Sequence, residues 1–277
     1  MTLRSETLTI RNQKVHLLQG GAGPPVLYLH GIVADIHSLP ADSGLTAFHE
    51  ALAQSFTVYA PALPGYAETE GYDELETIED MVFFCLDVLD ALNTDTVHLV
   101  GTALGGWVAT EMATRHAHRL RRLVLINPLG ISTPEARIGN FFYTVTPKAE
   151  GGNHEVRELI FSDQHSELAM GAIPDDMSPE AQFLFYKAQM VSARIGWTPP
   201  SLYNPRLKDR LFRVTTPTLL VSATGDRLVP TTVADVYQAG LSDAQVVRIA
   251  DAAHAVWLEQ PQHTAEIVAR FLQQSPS

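Results

Sequence analysis

Three stretches of the chain carry side chains whose types and spacing suit acyl-transfer chemistry. The first is Val97-His98-Leu99-Val100-Gly101-Thr102-Ala103-Leu104-Gly105-Gly106-Trp107. An apolar run followed by small residues at 101, 105 and 106 reads as a strand that turns sharply into a helix. Such a turn pushes its apex out above the sheet in a strained conformation, as in a nucleophile elbow. The apex residue is Ala103. The second stretch is Val221-Ser222-Ala223-Thr224-Gly225-Asp226, where an acid just past a strand end can orient an imidazole. The third, Ile249-Ala250-Asp251-Ala252-Ala253-His254, places His254 in a loop after the last strand. Upstream, His30-Gly31-Ile32 follows a short buried strand. The backbone N–H of Ile32 and that of Leu104 would together make a two-donor oxyanion hole.

The elements around these residues alternate. Glu6 to Ile10 and Lys14 to Leu18 alternate polar and apolar residues about a turn, which predicts a hairpin at a sheet edge. Val26–Leu29, Phe56–Tyr59, Val97–Val100, Leu123–Ile126, Thr218–Val221 and Val246–Ile249 read as strands. Helical patterns lie over Leu45–Ala53, Thr77–Leu92, Leu104–His116, Thr232–Ala239 and Thr264–Leu272. This rhythm predicts an α/β fold with a mostly parallel twisted sheet flanked by helices. The rhythm breaks between about Gly130 and Arg213, where Glu155–Phe161 and Pro179–Ile195 read as helices joined by a linker at Gly171–Asp176. The expected organisation is a core of residues 1–130 and 214–277, with a helical cap inserted at 131–213 over the strands' C-terminal edge.

Composition narrows the function classes. The 277 residues include 45% hydrophobic and 18% charged side chains at a mean hydropathy of +0.01, enough to bury a sizeable core. A net charge of −12 without a basic run argues against nucleic acid and against an anionic membrane surface. The single cysteine, Cys85, precludes an internal disulfide or a cysteine-built metal site, and its place on an apolar helix face reads as core. No run of about 18 apolar residues exists to span a bilayer. The expectation is a cytoplasmic protein with a small-molecule substrate, without metal or other cofactor.

With these motifs in hand, the chain resembles the α/β-hydrolase superfamily over essentially its whole length. The His30-Gly31 turn, the Gly101–Gly106 elbow, Gly225-Asp226 and His254 stand in that family's order, and Pro64-Gly65-Tyr66 matches its usual loop. The resemblance implies a Ser-His-Asp hydrolase with a helical cap. It makes Asp226 the orienting acid, His254 the base, and Ile32 and Leu104 the oxyanion donors, with position 103 as the nucleophile. Alanine departs from that pattern, because a methyl group neither attacks a carbonyl nor holds a proton. Loss of the serine from such a triad costs about 10⁶ in kcat, so the chain is expected to be nearly inert in acyl transfer. Thr102, one residue before the apex, is no substitute.

Several readings stay open at this stage. Ala103 is either a substitution for serine with every other part in place, or the native residue of a non-catalytic ligand binder. An aspartate original, as in epoxide hydrolases and haloalkane dehalogenases, fits the Leu104-Gly105-Gly106 sequence less well. The reaction is that of an esterase or lactonase on a small, fairly apolar substrate, or of a carbon–carbon hydrolase of the meta-cleavage-product type, whose elbow usually reads Gly-Asn-Ser where this chain has Thr102. Asp251 is an alternative acid, and Asp226 an alternative helix cap. His30, Gly31, Phe142, Tyr186 and Trp197 are candidate substrate contacts, although His30 also reads as a structural loop residue. Most cap aromatics are expected to glue cap to core, and Asp35 and His37, which follow the oxyanion turn, either to contact substrate or, as the preferred reading, to lie in a solvated loop.

Overall fold

Every residue of β5 (Val97–Thr102) and β7 (Thr218–Ala223) is buried, as expected of central strands of a parallel sheet covered on both faces. The computed structural model describes residues 2–38, 45–136, 153–196 and 202–274. Among these, eight strands form one sheet in the order β1-β2-β4-β3-β5-β6-β7-β8. The edge hairpin β1 (Arg4–Ile10) and β2 (Gln13–Gly20) is antiparallel, and β2 pairs antiparallel with β4 (Thr57–Pro61). The remaining pairs are parallel, from β4 through β3 (Pro25–Leu29), β5, β6 (Leu120–Ile126) and β7 to β8 (Ala244–Ile249).

The helices fit the parallel crossovers. α1 (Ala47–Leu52) links β3 to β4, and α2 (Ile78–Ala91) carries the chain back past β3 to β5. The strand order therefore reverses between β3 and β5, and the crevice beyond their C-terminal ends is where an open α/β sheet holds its ligand. α2 buries the stripe Met81, Val82, Cys85, Val88 and Leu89, as its helical spacing predicts. α3 (Ala103–His116) is buried all round its first three turns, from Ala103 to Thr114. Small residues make that possible. A Cβ on Gly105 would lie 2.0 Å from the Leu29 carbonyl oxygen, so the helix runs against β3 with no room for a side chain.

Between β6 and β7 the described chain is helical: α4 (His154–Ile160), α5 (Glu167–Ala172) and α6 (Pro179–Gly196). The stretch expected as a linker from Gly171 is helical up to Ala172, because Ser166 caps α5 by accepting from the Ala169 N–H. The chain closes with α7 (Thr231–Gly240), a short α8 (Val256–Glu259) that no sequence pattern predicted, and α9 (Pro261–Leu272). No described helix is long and apolar enough to cross a membrane.

Candidate active site

Ala103 begins α3 directly at the end of β5 with φ +45°, a left-handed conformation that L-residues adopt only under constraint. The constraint is steric. A Cβ on Gly101 would lie 2.4 Å from the Gly105 carbonyl oxygen, and one on Gly106 would lie 2.8 Å from Pro128 Cβ. Only glycine at these positions lets strand and helix meet at so sharp an angle. The elbow expected from the sequence is present, with its apex methyl 3% exposed.

His254 and Asp226 come together from loops after β8 and β7. His254 Nδ1 lies 2.7 Å from Asp226 Oδ2, and both side chains are buried. The other carboxylate oxygen, Oδ1, accepts the N–H groups of Leu228 (2.8 Å) and Val229 (2.7 Å). One carboxylate oxygen thus faces the imidazole while the other closes the turn after β7; the helix that begins at Thr231 has Pro230 at its N-cap and receives no side-chain cap from Asp226. Asp251, the alternative acid, is exposed. His254 and Ala103 line one small cavity together with Ile32, Val33, Leu129, Ile160 and Leu228. Its volume is about 10 Å³, near the minimum that one water needs, and its wall is otherwise aliphatic.

The peptides that carry the expected oxyanion donors are pinned by their carbonyl groups. The Ala103 carbonyl accepts the Leu129 N–H at 2.9 Å. In a trans peptide the N–H opposes the C=O, so the Leu104 N–H points away from Leu129. On the facing turn, the Gly31 carbonyl lies 2.6 Å from His30 Nδ1. His30 Nε2 accepts the Leu63 N–H at 3.0 Å, which makes Nδ1 the protonated nitrogen and the donor to Gly31. The Ile32 N–H therefore opposes His30, and it has no hydrogen-bond partner among the described residues. The Gly105 N–H donates to the His30 carbonyl at 3.1 Å and joins the two turns.

His30 is thus fully buried with both ring nitrogens engaged, and desolvation lowers its pKa. It holds backbone and does not line the cavity, as its reading as a structural loop residue expects and unlike its alternative reading as a substrate contact. Gly31 sits closer to the site: a Cβ there would lie 3.2 Å from Ala103 Cβ. Tyr186 is 53% exposed and lines a different hollow of about 420 Å³, with Phe183 and Met190, against the loop from Gly65 to Asp73. That placement departs from the expectation of a contact beside Ala103. Phe183 is also exposed, whereas Phe185 packs on the core as expected of a cap aromatic. Phe142 and Trp197 lie outside the described residues. Trp107 packs in the core, with its Nε1–H donating to Glu111.

Three side chains that the sequence reading did not single out, Asn127, Glu259 and Arg227, bond to or from the loops that carry His254 and Asp226. Asn127, at φ +42° after β6, donates through Nδ2 to the His254 carbonyl at 2.8 Å. Its Oδ1 accepts the Ala223 N–H at 3.0 Å, so one side chain staples the histidine loop to the end of β7. Glu259 accepts the Ala253 N–H (2.6 Å) and also the N–H (2.7 Å) and hydroxyl of Ser162, which follows α4. The Arg227 guanidinium, beside Asp226, donates to the Glu158 carbonyl at 2.6 Å. The inserted helices are thereby tied to both the acid loop and the histidine loop. Asp35, expected in a solvated loop, is fully buried and accepts the Gly31 N–H (2.8 Å), the Ile36 N–H (2.7 Å) and the hydroxyls of Tyr28 and Thr102. His37 is buried as well, on the Ala60 carbonyl. Among the described residues no group of three His, Cys, Asp or Glu side chains is placed to hold a metal ion.

Comparison with known proteins agrees with this architecture. A model of the alpha/beta hydrolase family matches residues 26–267. The pimeloyl-[acyl-carrier protein] methyl ester esterase of Aromatoleum aromaticum is 28% identical over 82% of this chain and 90% of its own length. The 2-hydroxymuconate semialdehyde hydrolase of Pseudomonas sp. (strain CF600) is 34% identical over 44% of this chain and 42% of its own length. Among solved structures, a 2-hydroxy-6-oxo-6-phenylhexa-2,4-dienoate hydrolase from a Rhodococcus species superposes with a TM-score of 0.78 at 19% identity, covering 98% of this chain and 99% of that one.

Proposed function

The chain belongs to the alpha/beta hydrolase family, and we propose that its site is that of a serine-type esterase- or lactonase-like hydrolase in which Ala103 stands at the nucleophile position. The observation that carries this reading is the His254–Asp226 pair at 2.7 Å, whose imidazole lines the same small cavity as the elbow apex. With serine at 103, Oγ would attack the substrate carbonyl while His254 Nε2 takes its proton. The oxyanion would rest on the N–H groups of Ile32 and Leu104. His254 would then protonate the leaving alkoxide, and water would release the acyl group by the same steps in reverse. Asp226 would keep Nδ1 protonated and stabilise the imidazolium.

With alanine this covalent route has no attacking atom. Turnover is expected about 10⁶-fold below that of the serine form, with about 10³–10⁴ over the uncatalysed rate left to the oxyanion donors and binding. The aliphatic lining from Ile32, Val33, Leu129, Ile160 and Leu228 suits a fairly apolar small molecule. The inserted helices act as the cap that closes over it. The test is Ala103→Ser assayed against p-nitrophenyl esters of rising chain length. A gain of several orders of magnitude is expected, and no gain in a folded protein overturns the proposal.

A second reading, hydrolysis of a carbon–carbon bond, is favoured by the 34% identity to a semialdehyde hydrolase over part of the chain. A dienone substrate assayed with the same Ala103→Ser protein separates the two: loss of the dienone absorbance with no ester turnover selects the carbon–carbon reaction.

A further inference from the structure

We propose that Asp35 is a positioning residue: its buried carboxylate ties the turn bearing Ile32 to the elbow bearing Leu104 and so fixes the spacing of the two oxyanion donors. This rests on the hydrolase reading of the site given above. One oxygen, Oδ2, accepts both the Gly31 N–H (2.8 Å) and the Thr102 hydroxyl (2.7 Å). Gly31 immediately precedes Ile32, and Thr102 immediately precedes Ala103. The other oxygen, Oδ1, accepts the Ile36 N–H at 2.7 Å and the Tyr28 hydroxyl at 2.9 Å. A carboxylate offers four lone-pair sites, and all four have donors here. Tyr28 remains a donor, because burial and the neighbouring Asp35 charge push its pKa well above the phenol value.

The arrangement answers a mechanical need. The two oxyanion peptides belong to loops separated in sequence, and a shift of a few tenths of an ångström between them weakens both hydrogen bonds to a developing charge. The carbonyl of each peptide is already pinned, by Leu129 and by His30. Between the loops, Asp35 adds to the Gly105 N–H bond to the His30 carbonyl a side-chain tie through a group too buried for water to replace. It also gives Thr102 a part in the elbow that its sequence position does not announce.

The test uses the Ala103→Ser protein and the protein as it stands. In Asp35→Asn one of the two carboxylate positions becomes an amide NH₂, which meets donors in either orientation. In the Ala103→Ser background we expect kcat to fall about 10- to 100-fold with KM within about twofold, since the donors act chiefly in the transition state. Thr102→Val should lower kcat in the same way, and Thr102→Ser should restore it. The double variant Asp35→Asn/Thr102→Val should fall no further than Asp35→Asn alone. Additive losses, or a lowered Tm with kcat unchanged, would reduce Asp35 to a structural residue and overturn the proposal. A second arm needs no turnover. In the protein with Ala103, Thr102→Val should move the Ile32 amide resonance and Asp35→Asn that of Leu104. Shifts confined to each variant's own loop overturn the tie even if Ala103→Ser hydrolyses nothing, an outcome that separately refutes the hydrolase reading.

Discussion

Asn127 is the sharpest place to perturb the site without touching the reacting groups. Its side chain is 1% exposed and joins three segments that are distant in sequence. Asn127→Gly removes the acceptor for Ala223 N–H and the donor to the His254 carbonyl, and leaves both groups buried without partners. At about 1–3 kcal/mol for each unsatisfied buried group, the expected loss is about 3 kcal/mol. Asn127→Ala adds left-handed strain, because the backbone at φ +42° disfavours a Cβ that cannot hydrogen-bond locally. That strain costs about 1 kcal/mol more, for a total of about 4 kcal/mol. An unfolding entropy of about 2.1 cal/mol/K per residue gives roughly 0.6 kcal/mol/K for this chain. The corresponding drops in Tm are about 5 °C for Asn127→Gly and about 7 °C for Asn127→Ala. Calorimetry at neutral pH reads both. A Tm within 1 °C of the parent for either variant would refute the staple, and a larger drop for glycine than for alanine would refute the backbone argument.

Gly105→Ala should cost about 3 kcal/mol or more, since its Cβ meets the Leu29 carbonyl at 2.0 Å and neither backbone can retreat, whereas Gly171→Ala, with nothing within 4 Å, should gain about 0.5 kcal/mol; urea unfolding compares them. His49 is buried with neither ring nitrogen partnered among the described residues, and burial lowers its pKa to about 4. The unfolded chain binds that proton near pH 6.5 and the folded chain does not. Stability should therefore be lost as pH falls from about 6.5 to 4, by up to about 1.4 kcal/mol per pH unit for this group, and urea unfolding of His49→Phe should show a shallower decline. Asp226→Asn in the Ala103→Ser protein should lower kcat by about 10⁴ with the fold retained, because the amide no longer holds the required tautomer of His254; ester kinetics and circular dichroism check the two halves.

What the sequence disclosed follows from how local each constraint is. The elbow is legible because Gly101, Gly105 and Gly106 lie within one turn of Ala103, and each excludes a side chain against nearby backbone. Asp226 and His254 are legible because each stands just past an apolar strand. Asn127 reaches a partner 127 residues away, and Thr102 meets Asp35 across 67, so no local pattern announces either bond. Asp35 reads as a solvated loop because a carboxylate without a nearby cation is normally exposed. It is buried here because backbone N–H groups and hydroxyls take the place of a counter-charge. Tyr186 reads as a pocket residue because an aromatic on an inserted helix fits either face, and only packing decides which.

If position 103 is the nucleophile position of a triad with His254 and Asp226, a serine there is activated for attack. A fluorophosphonate probe followed by intact-protein and peptide mass spectrometry tests it without any knowledge of the natural substrate. A single adduct is expected on Ala103→Ser, mapped to residue 103, with no adduct on the chain with alanine and labelling slowed at least about 100-fold when His254→Ala is added. A folded Ala103→Ser protein that stays unlabelled, or that is labelled elsewhere, contradicts that role for position 103.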